Sequence, residues 1–511
     1  MTSKFKLSLL SLLLATTAFA LIVPQPEPEP LLFQDHDFQD FEPEIIEIEE
    51  EHFPEGTRTL MPYPKLRIAT DFEHVVGGAG TPEFKEYVQT QLIPAIVDWF
   101  GAAFKSKYPP KDLISSSAKT LCGFTTPKVL ATGVRADIFF FFNTKYDPYG
   151  GWAAATTLCA ISSSKKPLIV NIGINTYSIN TVATPDKNPL THDLYLTTLT
   201  HEFIHGLGMN GVLYKYFVDK SGEFLTDHIK KLEIAGEERT VLDIEPLTTR
   251  LRNYYGCNTI PGIIMENEGG AHLERRYFQY EVMSTGGIQG AKISEISMAF
   301  LEGTGWWIAD YSYAEPYFFG KGQGCDFVYG KCEAALFDDY CEGSGIACTG
   351  VGLSGGYCKS DSKSESCRFI VPQTEFNCDN PNGIYYTPLS SRQVYGRGLG
   401  SKCFSGNLTT YKPPTEVKQA SYCFTYNCVG EGLKTTLEVN FGTSVVTCAQ
   451  KGLLTVQGYN GFLNCPDPLT FCSTIGKPTC LKNCFGRGTC VNGRCECNKG
   501  FEGVDCGFVK V

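Results

Sequence analysis

The sequence predicts an α+β fold, a mixed sheet covered by helices and followed by a disulfide-stapled tail, and three observations predict it. Apolar runs of strand length, Asp137-Ile138-Phe139-Phe140-Phe141-Phe142 and Leu168-Ile169-Val170-Asn171-Ile172-Gly173, have the continuous character of strands buried on both faces. The stretch His192 to His205 places apolar residues at Leu196, Leu199 and Phe203, the stripe of a helix anchored against a core. Beyond Cys325 cysteines become frequent, with Gly, Ser and Tyr between them, as in Cys341-Glu342-Gly343-Ser344-Gly345-Ile346-Ala347-Cys348. That is the composition of a loop-rich domain held by covalent bridges.

Taken from the N-terminus, Lys4 and Lys6 precede an apolar run Leu7–Leu14 and a small-x-small site Ala18-Phe19-Ala20, so residues 1–20 read as a signal peptide. Between Glu27 and Glu55 there are twelve Asp or Glu and no Lys or Arg; without this stretch and the two leader lysines the formal charge of −11 becomes −1. Residues 21–60 therefore read as an acidic, disordered pro-segment that adds little to folding. The first cysteine is Cys122, so residues 21–60 hold no thiolate, and any group they offer to a site further along the chain is a carboxylate or His36. The first folded body is expected over 61–210. A strand at Lys65–Thr70 is followed by a helix that starts at Thr81-Pro82-Glu83 with a capping hydroxyl, proline in the first turn and a carboxylate at the positive dipole end. Phe84, Val88, Leu92, Ala95 and Trp99 continue that helix despite Pro94.

His201-Glu202-Phe203-Ile204-His205 carries the chemistry. Histidines at i and i+4 point the same way and can share one Zn2+, while Glu202 sits offset and reaches water rather than metal. A pentad with two free positions also recurs by accident on solvated helix faces, so context must decide. Gly206 and Gly208 let the chain turn sharply and return to the metal. The third ligand must come from later chain. His36 and His52 lie in the acidic stretch, and His192 and His228 read as surface residues. His272, after Gly269-Gly270-Ala271 and ahead of Glu281-Val282-Met283-Ser284, stands apart.

HExxHGLG, a long insertion, Gly270-Ala271-His272-Leu273-Glu274-Arg275, the Glu281–Ser284 turn, Phe300-Leu301-Glu302-Gly303-Thr304-Gly305-Trp306-Trp307 and Gly324-Cys325-Asp326-Phe327 occur in the order that resembles the leishmanolysin family of metzincin proteases. Gly151-Trp152-Ala153-Ala154-Ala155-Thr156-Thr157-Leu158-Cys159 resembles that family's small-residue segment ahead of the active-site helix. The usual metzincin spacing would put the third histidine at Gly211, so the ligand comes after an insertion over 211–268, in which Asp227–Arg239 reads as a charged helix. The resemblance implies a zincin catalytic domain with His201, His205 and His272 as ligands of one Zn2+, Glu202 as general base, and Met283 in the turn beneath the metal, in a C-terminal subdomain over 269–324. Zinc would lower the pKa of water from about 15.7 towards about 7 and polarise the scissile carbonyl, so no covalent intermediate is needed.

Residues 325–475 are the cysteine-rich domain, with one sequon at Asn407-Leu408-Thr409 as a glycosylation candidate. Cys480, Cys484, Cys490, Cys495, Cys497 and Cys506 resemble an EGF-like module over 480–506, set apart from the rest. The six leave sixteen cysteines, enough for eight further bridges with none unpaired. A cysteine count this high belongs outside the cell. With no second apolar run near twenty residues and no hydrophobic C-terminal tail, the chain is expected to be secreted without a transmembrane segment or GPI anchor. The expected partners are protein or peptide substrates and an extracellular or cell-surface ligand of the EGF-like module, and no nucleic acid. The competing reading is a catalytically retired zincin acting as an adhesive glycoprotein. It is disfavoured because Glu202, the three histidines and Met283 all stand intact.

Overall fold

The structure, a computed structural model, describes residues 43–50 and 63–510, apart from 183–188, 267–269, 285–289, 335, 344, 361–363, 366, 381–395, 399, 411–419, 478 and 492–493. The expected leader and most of the expected pro-segment lie outside the described residues.

A five-stranded mixed sheet forms the upper body. Its strands are β1 (Glu44–Ile46), β2 (Ile68–Asp71), β3 (Ile138–Lys145), β4 (Ala154–Ser162) and β5 (Pro167–Asn175), in the order β1-β4-β5-β3-β2. β2, β3 and β5 are mutually parallel, and β4 runs antiparallel to β5. Both faces of β3 are buried, which is why its sequence does not alternate. Phe140 and Phe142 join the core beneath the sheet, whereas Phe139 and Phe141 pack above it with Ile114, Leu130 and Ile169.

Beneath the sheet run α1 (Pro82–Tyr87), a π-helical turn at Val88–Leu92, α2 (Ile93–Ala103) and α3 (Pro189–Leu207). Thr81 caps α1 through the amide of Phe84 at 3.2 Å. Pro94 is tolerated because it stands in the first turn of α2, directly after the π turn has widened the hydrogen-bond ladder. Phe203 of α3 stacks on Phe140 at 4.4 Å and on Phe100 at 5.7 Å, locking the helix to sheet and neighbour together.

Three expectations are corrected. The acidic stretch is not wholly loose: Glu44–Ile46 pair in parallel with Ala160–Ser162 as β1. Ile48 enters the upper core, and Glu50 meets the fully buried Lys166 at 3.2 Å. The sequence hides this because a carboxylate run looks solvated until its counter-ion, more than a hundred residues away, is placed beside it. Removing residues 1–50 is therefore expected to lower the melting temperature markedly, since a buried ion pair that loses one partner costs about 3–5 kcal/mol. Removing 1–42 should not. Differential scanning calorimetry of the two truncations checks this, and equal melting temperatures would refute it.

The insertion over 211–268, read as carrying a charged helix at Asp227–Arg239, is instead a hairpin of β6 (Ile229–Ile234) and β7 (Glu237–Leu242), completed by β8 (Ile263–Met265). Ala235 and Gly236, at φ 55° and 87°, form the mirror-image turn that suits a two-residue hairpin loop. Ile229, Leu232 and Ile234 only approximate a helical stripe, and cross-strand pairing overrides it.

The tail is not set apart either. Its cysteines pair as Cys480–Cys490, Cys484–Cys495 and Cys497–Cys506, within eleven bridges that leave no free cysteine. Phe485 and Phe508 belong to the same hydrophobic core as Phe140 and Phe203, Arg487 pairs with Asp98 at 2.8 Å, and Lys482 is buried against Glu315 at 3.0 Å. Lys482 to Phe485 hold four successive left-handed conformations, each costing about 1–2 kcal/mol in isolation. The two bridges and the buried contacts on either side impose them.

Burial opposes the charge of Glu315, but Lys292 and Lys482 outweigh it and hold its carboxyl down at about 2. The depressed value means that its stabilisation is whole above the unfolded carboxylate range, near 4.5, and is lost as pH falls towards 2. Melting temperature should fall through that window, and Glu315→Gln should flatten that part of the profile in melts from pH 2 to 5. An unchanged profile would refute the assignment.

Candidate metal centre

The last turns of α3 carry His201, Glu202 and His205, all buried. Nδ1 of His201 lies 2.7 Å from the carbonyl of Val282, and Nδ1 of His205 lies 2.7 Å from that of Met209. A carbonyl only accepts, so each Nδ1 must carry a proton, and in the neutral ring each Nε2 is then a bare lone pair. These two Nε2 atoms are 2.9 Å apart, and His272 Nε2 closes the triangle at 3.1 and 3.2 Å. Unprotonated nitrogens this close repel unless a cation lies between them. Tetrahedral zinc, with Zn–N bonds of about 2.0–2.1 Å, would hold its nitrogens about 3.3 Å apart. The donor set therefore fits zinc in both chemistry and spacing.

α3 ends where the two glycines stand, and they act differently. Gly206 is still helical, and a Cβ there would fall 2.6 Å from the Phe140 ring; Gly208 takes φ 152° and turns the chain away. Trp307 secures the end by donating from Nε1 to the Leu207 carbonyl at 2.8 Å.

His272 is positioned by the insertion. Its carbonyl accepts from Glu266 at 2.8 Å, Glu274 donates its amide to Ile264 of β8 at 3.1 Å, and Arg239 of β7 pairs with the Glu274 carboxylate at 2.9 Å. On the other side, Leu273 donates to the carbonyl of the fully buried Met283 at 3.0 Å. The turn that holds Met283 is organised by Glu281, whose carboxylate accepts from the Met283 amide at 2.6 Å, Ser294 Oγ at 2.8 Å and Ser297 Oγ at 2.6 Å. Burial nonetheless pushes the Glu281 carboxyl up.

The Glu202 carboxylate is held from β4. Its Oε2 accepts from Thr156 Oγ1 of β4 at 2.8 Å, and the same hydroxyl lies 2.8 Å from the Glu202 carbonyl. Thr156, Arg239, Glu281 and the two carbonyls that fix the histidine tautomers were not singled out by the sequence. A threonine or a main-chain carbonyl carries no local mark of such a role.

The other histidines are elsewhere, and the expectation that His192 and His228 lie on the surface is corrected. His192 is buried, with Tyr87 Oη 2.6 Å from its Nδ1 and Phe508 stacked on it at 3.7 Å. His228 is buried with Nε2 2.8 Å from the Tyr214 carbonyl. Among the described residues one further group, Cys480, Cys484 and Cys495, is close enough to hold a metal, but all three are in disulfides. A cavity of about 670 Å³ lined by Tyr63, Tyr108, Asp219, Glu245 and Glu302 holds none of the histidine cluster.

The model of the leishmanolysin peptidase family matches residues 81–366, more than half of the chain. The chain is similar to the ciliated left-right organizer metallopeptidase of Mus musculus, at 28% identity over 61% of this chain and 47% of that protein, and to its Homo sapiens counterpart, at 27% over 75% and 49%. It is also similar to leishmanolysin of Leishmania donovani, at 24% over 49% and 42%. The chain spans about half the length of the curated relatives it matches.

Proposed function

From the premise that this chain belongs to the leishmanolysin family of metallopeptidases, we propose that it is a catalytically active, secreted zinc endopeptidase of the metzincin type. The reading rests on the convergence of His201, His205 and His272 through Nε2 atoms within 3.2 Å of one another, with the carboxylate of Glu202, on the helix of the first two, held by Thr156 of β4. Zinc bound there would supply a Lewis acid for the scissile carbonyl and lower the pKa of water. His201 and His205 are held in the Nδ1–H tautomer and oriented by the Val282 and Met209 carbonyls. Glu202 takes a proton from the attacking water and returns it to the leaving amine. Met283 supports the third ligand from below as a packed core residue.

Secretion is supported by the eleven disulfides and by the absence, among the described residues, of any helix long and apolar enough to cross a membrane. The six-cysteine tail is read as an EGF-like module and Asn407 as a glycosylation site; Asn407 is half-buried, with Oδ1 accepting from the Phe462 amide at 2.8 Å. Protein substrates follow from the peptidase family. A casein digest by the zinc-loaded protein, with and without chelator, tests the reading: chelator-sensitive cleavage is expected. Inertness of a folded, zinc-loaded protein would favour a retired adhesive scaffold instead.

Thr156 is expected to act through Glu202. A hydrogen bond to a charged group contributes about 1.5–3 kcal/mol, so Thr156→Val should lower kcat by about tenfold or more with KM and zinc content little changed. Thr156→Ser should restore it. A raised KM at normal kcat, or failure of serine to rescue, would refute the role.

A further inference from the structure

β4 is the strand beside the candidate metal centre, and its outer edge is divided. From Ala154 to Cys159 no strand pairs with that edge among the described residues; from Ala160 to Ser162 it is taken by Glu44–Ile46. An extended peptide binds such an edge as an added strand, and the antiparallel direction gives the better ladder. So bound, the peptide runs with its upstream end towards Ala160 and its downstream end towards Ala154. The reacting point is fixed by Thr156, whose hydroxyl touches the Glu202 carboxylate.

Three positions, Thr157, Leu158 and Cys159, separate Thr156 from Ala160. At about 3.3 Å per residue they offer about 10 Å of edge, less what the irregularity between Leu158 and Ala160 removes. The free stretch then meets Glu44. The residue before it is Pro43, which has no amide hydrogen and cannot extend a ladder.

β1 is anchored too well to be displaced by an ordinary peptide. Glu50 Oε1 lies 3.2 Å from Lys166 Nζ with both side chains buried, and Ser162 and Ser164 donate hydroxyls to its other oxygen. Ser163 Oγ donates to the Ile48 carbonyl at 3.2 Å, and Lys111 donates its amide to the Glu49 carbonyl at 2.8 Å. Each anchor lies beyond the three paired residues, on the side away from the free stretch of β4.

We propose that residues 44–50 are a specificity-determining strand of the active enzyme. β1 closes the upstream end of the substrate-pairing edge, so that peptides are held through no more than about three residues before the scissile bond. The proposal rests on the peptidase reading and deepens it. Substrate chain further upstream turns away from the sheet at Glu44, which suits exposed loops and chain ends rather than long strands.

The test uses the zinc-loaded full chain. A casein peptide cleaved by the wild type is remade as a fluorescein-labelled set with one to six residues upstream of the cut, and its binding to Glu202→Gln is measured by fluorescence anisotropy. Affinity should rise over the first three upstream residues and stay level from four to six. In Glu202→Gln carrying Ile46→Pro, which removes an amide that the parallel register aims at β4, or Glu50→Gln, which weakens the anchor, the longer peptides should gain about threefold or more for each added pair of main-chain hydrogen bonds. Amide exchange at Ile161 reports whether each variant has freed the edge, because the neighbouring Ser162 amide is turned the other way, to the Lys166 carbonyl at 2.8 Å. Affinity that keeps rising from four to six residues in the native background, or a level profile in variants with a freed edge, overturns the proposal alone. A folded, zinc-loaded protein that neither cleaves nor binds any peptide overturns the peptidase reading and this proposal with it.

Discussion

Glu202→Ala is expected to retain one zinc per chain and to lose about 10²- to 10⁴-fold or more in kcat/KM, the range over which general-base catalysis contributes. The separation of the two properties follows from the geometry. The zinc site is proposed to be built from three ring nitrogens, His201, His205 and His272, whereas the Glu202 carboxylate is turned to Thr156 on the facing strand. Removing the carboxylate leaves the ring orientations intact, because those are fixed by the Val282 and Met209 carbonyls. Elemental analysis of the purified variant beside its peptidase rate checks both halves. Near-normal cleavage by a zinc-loaded Glu202→Ala would sink the assignment of the base, and loss of zinc would show that the carboxylate serves the metal instead.

His272→Ala is expected to cost metal retention about as much as His201→Ala or His205→Ala, and to abolish activity with it. Tetrahedral sites with three protein ligands bind weakly once one is removed, and each imidazole here stands at an equal corner of the triangle, 2.9 to 3.2 Å from its neighbours. His228→Ala is the informative control. That side chain is also buried, so its loss disturbs packing to a similar degree, but its nitrogen faces the Tyr214 carbonyl. Zinc content measured by competition with a chromogenic chelator should fall in the first variant and hold in the second. The reverse result would move the third ligand to the insertion hairpin.

The sequence by itself determined the local units. Spacing of two histidines by four residues places both on one face of a helix whatever surrounds it, and the Leu196, Leu199, Phe203 stripe says which face is buried. The apolar runs at 138–142 and 168–172, interrupted only by Asn171, call for a sheet covered on both faces, and β3 and β5 are there. Cysteine spacing marked a tail that needs covalent closure. Each of these is a short-range property, readable because its cause lies within a few residues.

Tertiary structure alone decided what joins distant chain. That His272 meets His201 and His205 depends on the sheet of β6, β7 and β8 and on the Arg239–Glu274 pair, built from an insertion whose sequence reads as surface. That part of an acidic stretch is core and edge strand depends on Lys166, and that the tail locks onto the main body depends on Glu315 receiving Lys482. His192 and His228 look like surface residues until the aromatic and carbonyl partners that cover them are in place. The physical reason is common to all of these. A charged or polar side chain is stable in the interior only beside its partner, and nothing in a local window of sequence records a partner that lies many tens of residues away.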